Sequence, residues 1–231
     1  MDNHWFFQPS DFLKKMTLSD KEELLSQATL THFQKDGYIF KAGDPGEYVY
    51  IVEDGRVKIW QLSADGREII LWFCLPGEMF GIAELPRESI SARPVTAQAC
   101  VDSHVYAIPQ NVFNAFLKNH PETSMLVIEL LSRRLRILGN MLLNSSSDDV
   151  TSRIIKLILR LSAHEGKQND VDVCLELPMT HQEIADMVGA SRQTVTSVIG
   201  GLRRKGVLEM IQQRIRIIDQ KQLNMMIASL A

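Results

Sequence analysis

Cysteine is scarce in this chain of 231 residues: Cys74, Cys100 and Cys174 lie far apart and form no CxxC pair. That excludes a disulfide framework, a zinc ribbon and a four-cysteine iron-sulfur site, and leaves Cys74 and Cys100 as buried free thiols. Long apolar runs are also missing. The longest, Ile69 to Leu75, is far short of the roughly 18 residues of a membrane span, and the opening MDNHWFFQPSDF lacks the basic segment of a secretory signal. A cytoplasmic protein with no membrane partner is expected. His32, His104 and His120 form no HxH or HxxxH pair, and no GxSxG, P-loop or zincin signature occurs. The clustered ligands of a catalytic metal are therefore absent, no metal site can be named, and no enzymatic activity is expected. A hydrophobic content of 45% with 23% charged residues is ordinary for a globular protein, and the length suits two domains.

What is present concentrates in MTHQEIADMVGASRQTVTSVIGGLRRKGV, Met179 to Val207. Thr180 and Glu183 have the spacing of a capping box, and Ile184, Met187 and Val188 give the helix it opens one apolar face. Gly189 supplies a turn and Ser191 an N-cap for a second helix, with Val195, Val198, Ile199 and Leu202 toward the core. Arg192, Gln193, Thr196 and Ser197 then point outward. Arg suits guanine, Gln suits adenine and a Thr methyl suits thymine, so this face has major-groove chemistry. Thr180, Gln182, Ser191, Arg203 and Lys205 complete the expected DNA-binding set. Between Ser191 and Arg216, Arg192, Arg203, Arg204, Lys205, Arg214 and Arg216 stand against Glu209 alone. The balance is six minus one, or +5, in a chain of net charge −3, so the remainder carries −8. A basic patch of this kind binds phosphates by counterion release, while acidic bulk limits non-specific attachment.

Upstream, short helices are expected over Ser10 to Ala28, with Ser19 and Glu22 as a capping box. From Thr29 to Ile108 short strands (YIF, YVYIV, RVKIWQL, EIILWFCL, VYAI) alternate with glycine turns, and Gly55, Gly66 and Gly77 recur every eleven residues. This predicts an antiparallel β-roll or jelly roll, a fold that encloses a ligand pocket. A short helix, Gln110 to Leu117, precedes a long one from Pro121 to about Leu143. In the latter, Ile128, Leu131, Leu135, Leu138 and Leu142 form an a/d seam that points to a dimer, with Arg133, Arg134 and Arg136 giving the helix a solvated face. The domains are then read as 1–120, a β-roll sensor; 121–144, a dimerisation helix; 145–149, within NSSSDD, a hinge; and 150–231, a winged helix-turn-helix. In the last, Val150 to Ala163 is a helix, EGKQND a loop and Val171 to Leu177 a strand. Val207–Ile211 and Arg214–Ile218 form a hairpin, and Lys221 to Leu230 a closing helix.

The order of these parts resembles the Crp/Fnr superfamily of bacterial transcription regulators over nearly the whole chain. FKAGDPGEYVYIVEDGRVKIW looks like its early β-roll strands, LPGEMFGIAEL its phosphate-binding cassette, and THQEIADMVGASRQTVTSVIGGLRRKGVLE its DNA-binding signature. The resemblance implies an α+β protein in which the roll is joined by a dimer helix to the reader. It implies that Arg192 reads guanine, and that RNA polymerase and an effector are partners. It also marks an effector pocket at Gly81, Ile82, Arg93, Pro94 and Leu138. Gly81 and Arg93 match the cyclic-nucleotide pattern, whereas Ile82 stands for the Glu that accepts ribose hydroxyls and Pro94 for a phosphate-binding Ser. Leu138 and Gly139 stand for the Thr and Ser offered to adenine. Unpaired ribose and phosphate groups cost about 1 to 3 kcal/mol each, which argues against cyclic AMP. A heme that senses a gas is an alternative effector, with His4, His32, Cys74, Cys100 or His104 as ligand. A small anionic metabolite at Arg93 is another, unless Arg93 instead pairs with Glu84 or Glu88. The expected function is that of an effector-gated, homodimeric regulator on a palindromic duplex. An effector-independent DNA-binding protein and a β-roll enzyme are the alternatives.

Overall fold

A computed structural model describes residues 12–83, 92–147, 149–168, 173–175 and 178–228, without side chains at 140–147, 160, 162–168, 173–175 and 228. The chain divides into two compact units, 12–135 and 136–228, and the division falls inside one long helix.

Among the described residues, the first unit is built on eight antiparallel strands: β1 Thr29–Phe33, β2 Tyr38–Phe40, β3 Tyr48–Asp54, β4 Val57–Leu62, β5 Glu68–Cys74, β6 Met79–Phe80, β7 Thr96–Ala99 and β8 Ser103–Pro109. They form two sheets, ordered β1-β8-β3-β6 and β2-β7-β4-β5. Alternation along β3 shows why the roll closes. Val52 joins Phe40, Val57, Ile59, Cys74, Phe80, Ala97 and Val105 in a core drawn from both sheets. Val49 and Ile51, on the other face, pack under helices. Those helices are α1 Phe12–Lys15, α2 Leu18–Ser26, α3 Gln110–Asn119 and the start of α4 Pro121–Ser147. Their Phe12, Leu24, Phe113, Phe116, Val127 and Leu130 fill the second core.

Three expectations are corrected here. The cap of α2 is Thr17, whose Oγ1 accepts from the Asp20 backbone N–H at 3.1 Å, because the helix begins one residue before Ser19. Helix α4 runs to Ser147, three residues into the expected 145–149 hinge. Asn and Ser are weak helix formers rather than breakers, and an established helix gains a hydrogen bond with each residue added. Arg134 is buried rather than solvated, since it falls on the α4 face with Val127, Leu130 and Ile137. It donates to the Met79 carbonyl oxygen and stacks 4.9 Å from the Trp72 ring.

The second unit contains the end of α4, α5 Val150–Glu165, α6 His181–Val188, α7 Arg192–Arg204 and α8 Gln220–Ala228. Its sheet runs β11-β12-β10-β9, with β9 Gly166–Gln168, β10 Val173–Leu175, β11 Leu208–Ile211 and β12 Arg214–Ile217. Part of the expected EGKQND loop is thus strand β9, paired with β10. Pairing with a neighbour overrides the polar composition of the segment. The unit's core is nearly solvent-free, with Ile154, Ile155, Ile158, Ile184, Val195, Ile199, Ile215 and Leu223 at most 1% exposed.

Candidate nucleic-acid interface and effector pocket

Helix α6 starts where the sequence requires. Thr180 Oγ1 accepts from the Glu183 backbone N–H at 3.1 Å, while Glu183 Oε2 accepts from the Thr180 backbone N–H at 2.8 Å. The box satisfies two donors that a helix start leaves open. Ile184 and Met187 are buried and Val188 half-buried. Gly189 ends the helix at φ 63, a left-handed conformation that a Cβ would disfavour. Ser191 then caps α7, its Oγ accepting from the Thr194 backbone N–H at 3.1 Å.

Val195, Ile199 and Leu202 anchor α7, Val198 is half-buried, and Arg192, Gln193, Thr196 and Ser197 are exposed on the opposite side. The side chains of Arg192, Gln193 and Ser197 make no hydrogen bond among the described residues, so their donors and acceptors are open to a ligand. Other members of the expected set already have work in the protein. Thr180 and Ser191 are caps, and Gln182 Nε2 donates to Asp186 Oδ1 at 2.7 Å. Arg203, Arg204 and Lys205 are exposed at the end of α7. A cavity of about 390 Å³ beside them is lined by Gly200, Arg203, Arg204, Leu208, Glu209 and Ile218.

β11 and β12 form the wing, with Ile215 and Ile217 each 1% exposed on its inner face. Its two-residue turn places Gln212 at φ 50 and Gln213 at φ 64, and the Gln213 carbonyl oxygen accepts from the Met179 backbone N–H at 2.8 Å. This bond ties the wing to the entry of α6. One residue that the sequence reading passed over is His181. Its Nδ1 lies 2.9 Å from Thr196 Oγ1, which joins α6 to the reader face. Its position beside Thr180 was visible, but the partner fifteen residues on was not.

In the first unit, Gly81 and Arg93 come together. Arg93 is 3% exposed and donates from Nη1 to the Gly81 carbonyl oxygen at 3.0 Å and from Nη2 to the Tyr48 carbonyl oxygen. Its guanidinium lies 4.3 Å from the Phe40 ring and 5.7 Å from that of Tyr50. A Cβ on Gly81, at φ 72, would meet Arg93 Nη1 and Tyr50 at 3.0 Å. The arginine is therefore built into the strands. Ile82 is buried in the helix-covered core, while Pro94 is exposed and Leu138 is 37% exposed. Glu84 and Glu88, offered as partners for Arg93, lie outside the described residues.

The described heme candidates do not converge. His32 and His104 oppose each other across β1 and β8 with ring centroids 4.9 Å apart. By alternation they share the sheet face of Tyr106 and Ile108, away from the core between the sheets. Cys74 is fully buried, and that burial pushes its thiol far above the ordinary value, so it is a poor thiolate donor. Cys100 is buried too and forms no disulfide, and His4 lies outside the described residues. Among the described residues no three His, Cys, Asp or Glu side chains are grouped to hold a metal ion. The described candidates therefore form no common ligand set.

Comparison with known proteins agrees with both halves. A cyclic nucleotide-binding domain model matches residues 30–120, and a Crp-like helix-turn-helix model matches 152–226. The CRP-like cAMP-activated global transcriptional regulator of Mycobacterium tuberculosis is 30% identical over 200 residues, covering 87% of this chain and 88% of that protein. The global nitrogen regulator of a Nostoc species is 30% identical over 185 residues, 80% and 83% of the two chains. Among solved structures, the c-di-GMP responsive regulator CLP of Xanthomonas campestris aligns with a TM-score of 0.78 at 23% identity, over 88% of this chain and 100% of that one. A CooA mutant from Carboxydothermus hydrogenoformans aligns with a TM-score of 0.79 at 20% identity, over 97% and 96%. The curated relatives are transcription regulators rather than enzymes. With a cyclic nucleotide-binding domain, a Crp-like helix-turn-helix and a regulator at 30% identity over most of both lengths, the chain belongs to the Crp/Fnr superfamily of transcription regulators.

Proposed function

We propose that the protein is a homodimer that reads a palindromic duplex in the cytoplasm under the control of a small effector and acts on RNA polymerase. The observation that carries the dimer is the outward stripe of α4. Ile128, Leu131, Leu135 and Leu138 are 52%, 42%, 72% and 37% exposed, while Val127, Leu130 and Ile137 on the opposite face are buried. Fully burying such a side chain is worth about 1.5 to 3 kcal/mol, so a second copy offering the same seam is the self-complementary partner. Leu142 continues the repeat in sequence. Two-fold pairing would present two α7 helices to successive major grooves, about 34 Å apart. Arg192, Gln193, Thr196 and Ser197 would read bases, with Arg203 and Lys205 on phosphates.

The effector is better read as a small anionic metabolite than as cyclic AMP or heme. Arg93 supplies a buried cation, but its Nη groups already hold the carbonyl oxygens of Gly81 and Tyr48, and Ile82 and Pro94 offer no side-chain hydrogen bond to a ribose or phosphate. The Mycobacterium tuberculosis relative is named for cAMP activation, and this pocket argues for a different ligand here. Gly81 would mark one edge of the pocket, beside Arg93.

Selection of duplexes from a random pool by the full-length protein, with and without metabolite fractions, tests the reading. Enrichment of a two-fold symmetric sequence is expected, and no enrichment under any condition would refute it. An absorption spectrum with a Soret band would overturn the choice of effector class.

A further inference from the structure

Thr196 is held from two sides. Its Oγ1 is 2.9 Å from the Arg192 carbonyl oxygen, one turn back in α7, and 2.9 Å from Nδ1 of His181, the first residue of α6. A hydroxyl has one hydrogen to give. With that hydrogen on the Arg192 carbonyl oxygen, Nδ1 of His181 must donate to Oγ1, so Nδ1 keeps its hydrogen and the proton that comes and goes does so at Nε2. Among the described residues Nε2 has no hydrogen-bond partner.

The surroundings favour the neutral ring in the free protein. Burial first, and the Arg192 charge from α7 second, hold the imidazole below its ordinary pKa. Among the described residues, helix α5, which also packs on α6, places no charge that acts on the ring. On its own helix, the Glu183 carboxylate is engaged by the Thr180 backbone N–H and hydroxyl at 2.8 and 3.0 Å, and that of Asp186 by Gln182. Near neutral pH, Nε2 is thus a bare lone pair beside the reader face.

In a helix-turn-helix the first helix crosses the DNA backbone while the second reads the groove. A bare Nε2 would meet a phosphate oxygen acceptor to acceptor, whereas a protonated one donates a charge-assisted hydrogen bond. We propose that His181 positions Thr196 within the reader face and takes up one proton at Nε2 to hold a DNA backbone phosphate, so that DNA affinity is linked to pH. The inference rests on the DNA-binding function proposed above. The proton comes from solvent, no covalent bond changes, and the Nδ1–H bond to Thr196 survives the uptake. Binding raises the ring's pKa, so affinity increases as pH falls from the bound pKa to the free one, by up to about tenfold per pH unit, and is flat outside that window.

The test compares the full-length protein with His181→Gln and His181→Arg on a duplex selected by the parent protein and on a random duplex, from pH 5.5 to 8.5 at constant salt. The parent should bind both duplexes more tightly as pH falls. His181→Gln should lose that slope, and His181→Arg should bind tightly throughout the range. Parallel slopes in the parent and His181→Gln would overturn the inference while leaving DNA binding intact. Failure of all three proteins to bind any duplex would count against the DNA-binding function itself. In either event, ¹⁵N NMR of the histidines in the free protein, assigned by the His181→Gln difference, reads the tautomer. A neutral His181 carrying its hydrogen on Nδ1 is expected, and one carrying it on Nε2 would refute the inference.

Discussion

Arg93 and Arg192 are both guanidiniums assigned by sequence to ligand recognition, and their surroundings give them different work. Arg192 is exposed with no side-chain hydrogen bond among the described residues, so its fork is open to a guanine edge. Arg192→Ala should cost about 1 to 3 kcal/mol on the selected duplex and relax preference at one base pair. Lys205→Ala, at the end of the helix, should weaken selected and random duplexes alike. Competition binding over a panel of single-base variants checks both, and equal losses on all sequences for both proteins would sink the assignment. Arg93 instead satisfies the backbone at Gly81 and Tyr48. Arg93→Leu should orphan two carbonyl oxygens at about 1 to 3 kcal/mol each and lower Tm, as read by thermal melting without added effector. An unchanged Tm would return Arg93 to a purely ligand-binding role.

At the scale of the element, caps and turns were the most legible features. Thr180, Glu183, Gly189 and Ser191 are local devices, and the structure uses each as its spacing implies. The wing turn was less legible, because Gln212 and Gln213 adopt left-handed conformations for which neither is the usual residue. Gln213→Gly should relieve that strain and stabilise the winged unit by about 0.5 to 1 kcal/mol, measurable by urea unfolding. The start of α5 is capped by Asp149, whose Oδ1 accepts from the Ser152 backbone N–H at 2.7 Å. That bond depresses the carboxyl pKa below its ordinary 3.8. The folded pKa is thus the lower one, so the cap's stabilisation is fully present above the ordinary value and is lost as pH falls through the depressed one. Asp149→Ala should cost about 1 kcal/mol at neutral pH, and the gap to the parent should close in strong acid. Gly166–Gln168 reads as loop by composition because its pairing with β10 is not a local property.

For the whole molecule, the question is what covers the α4 seam. Leu135 is 72% exposed, so Leu135→Glu should barely alter the fold of one chain while abolishing the proposed dimer and its affinity for a symmetric duplex. Sedimentation velocity and melting distinguish this from misfolding: a monomer with the parent Tm is expected if that Tm is governed by the individual units, and an unchanged dimer would refute the seam. By itself, the sequence determined the β-roll, the long helix and the winged reader, because period, caps and turns act over a few residues. It also displayed the seam and the basic patch. Only the tertiary structure decided that Arg134 turns inward to the roll, that Arg93 is committed to carbonyl oxygens, and that His181 holds Thr196. Each of those depends on a partner distant in sequence or on which face of an element is covered, and hydrogen bonding and burial are settled by what lies opposite in space.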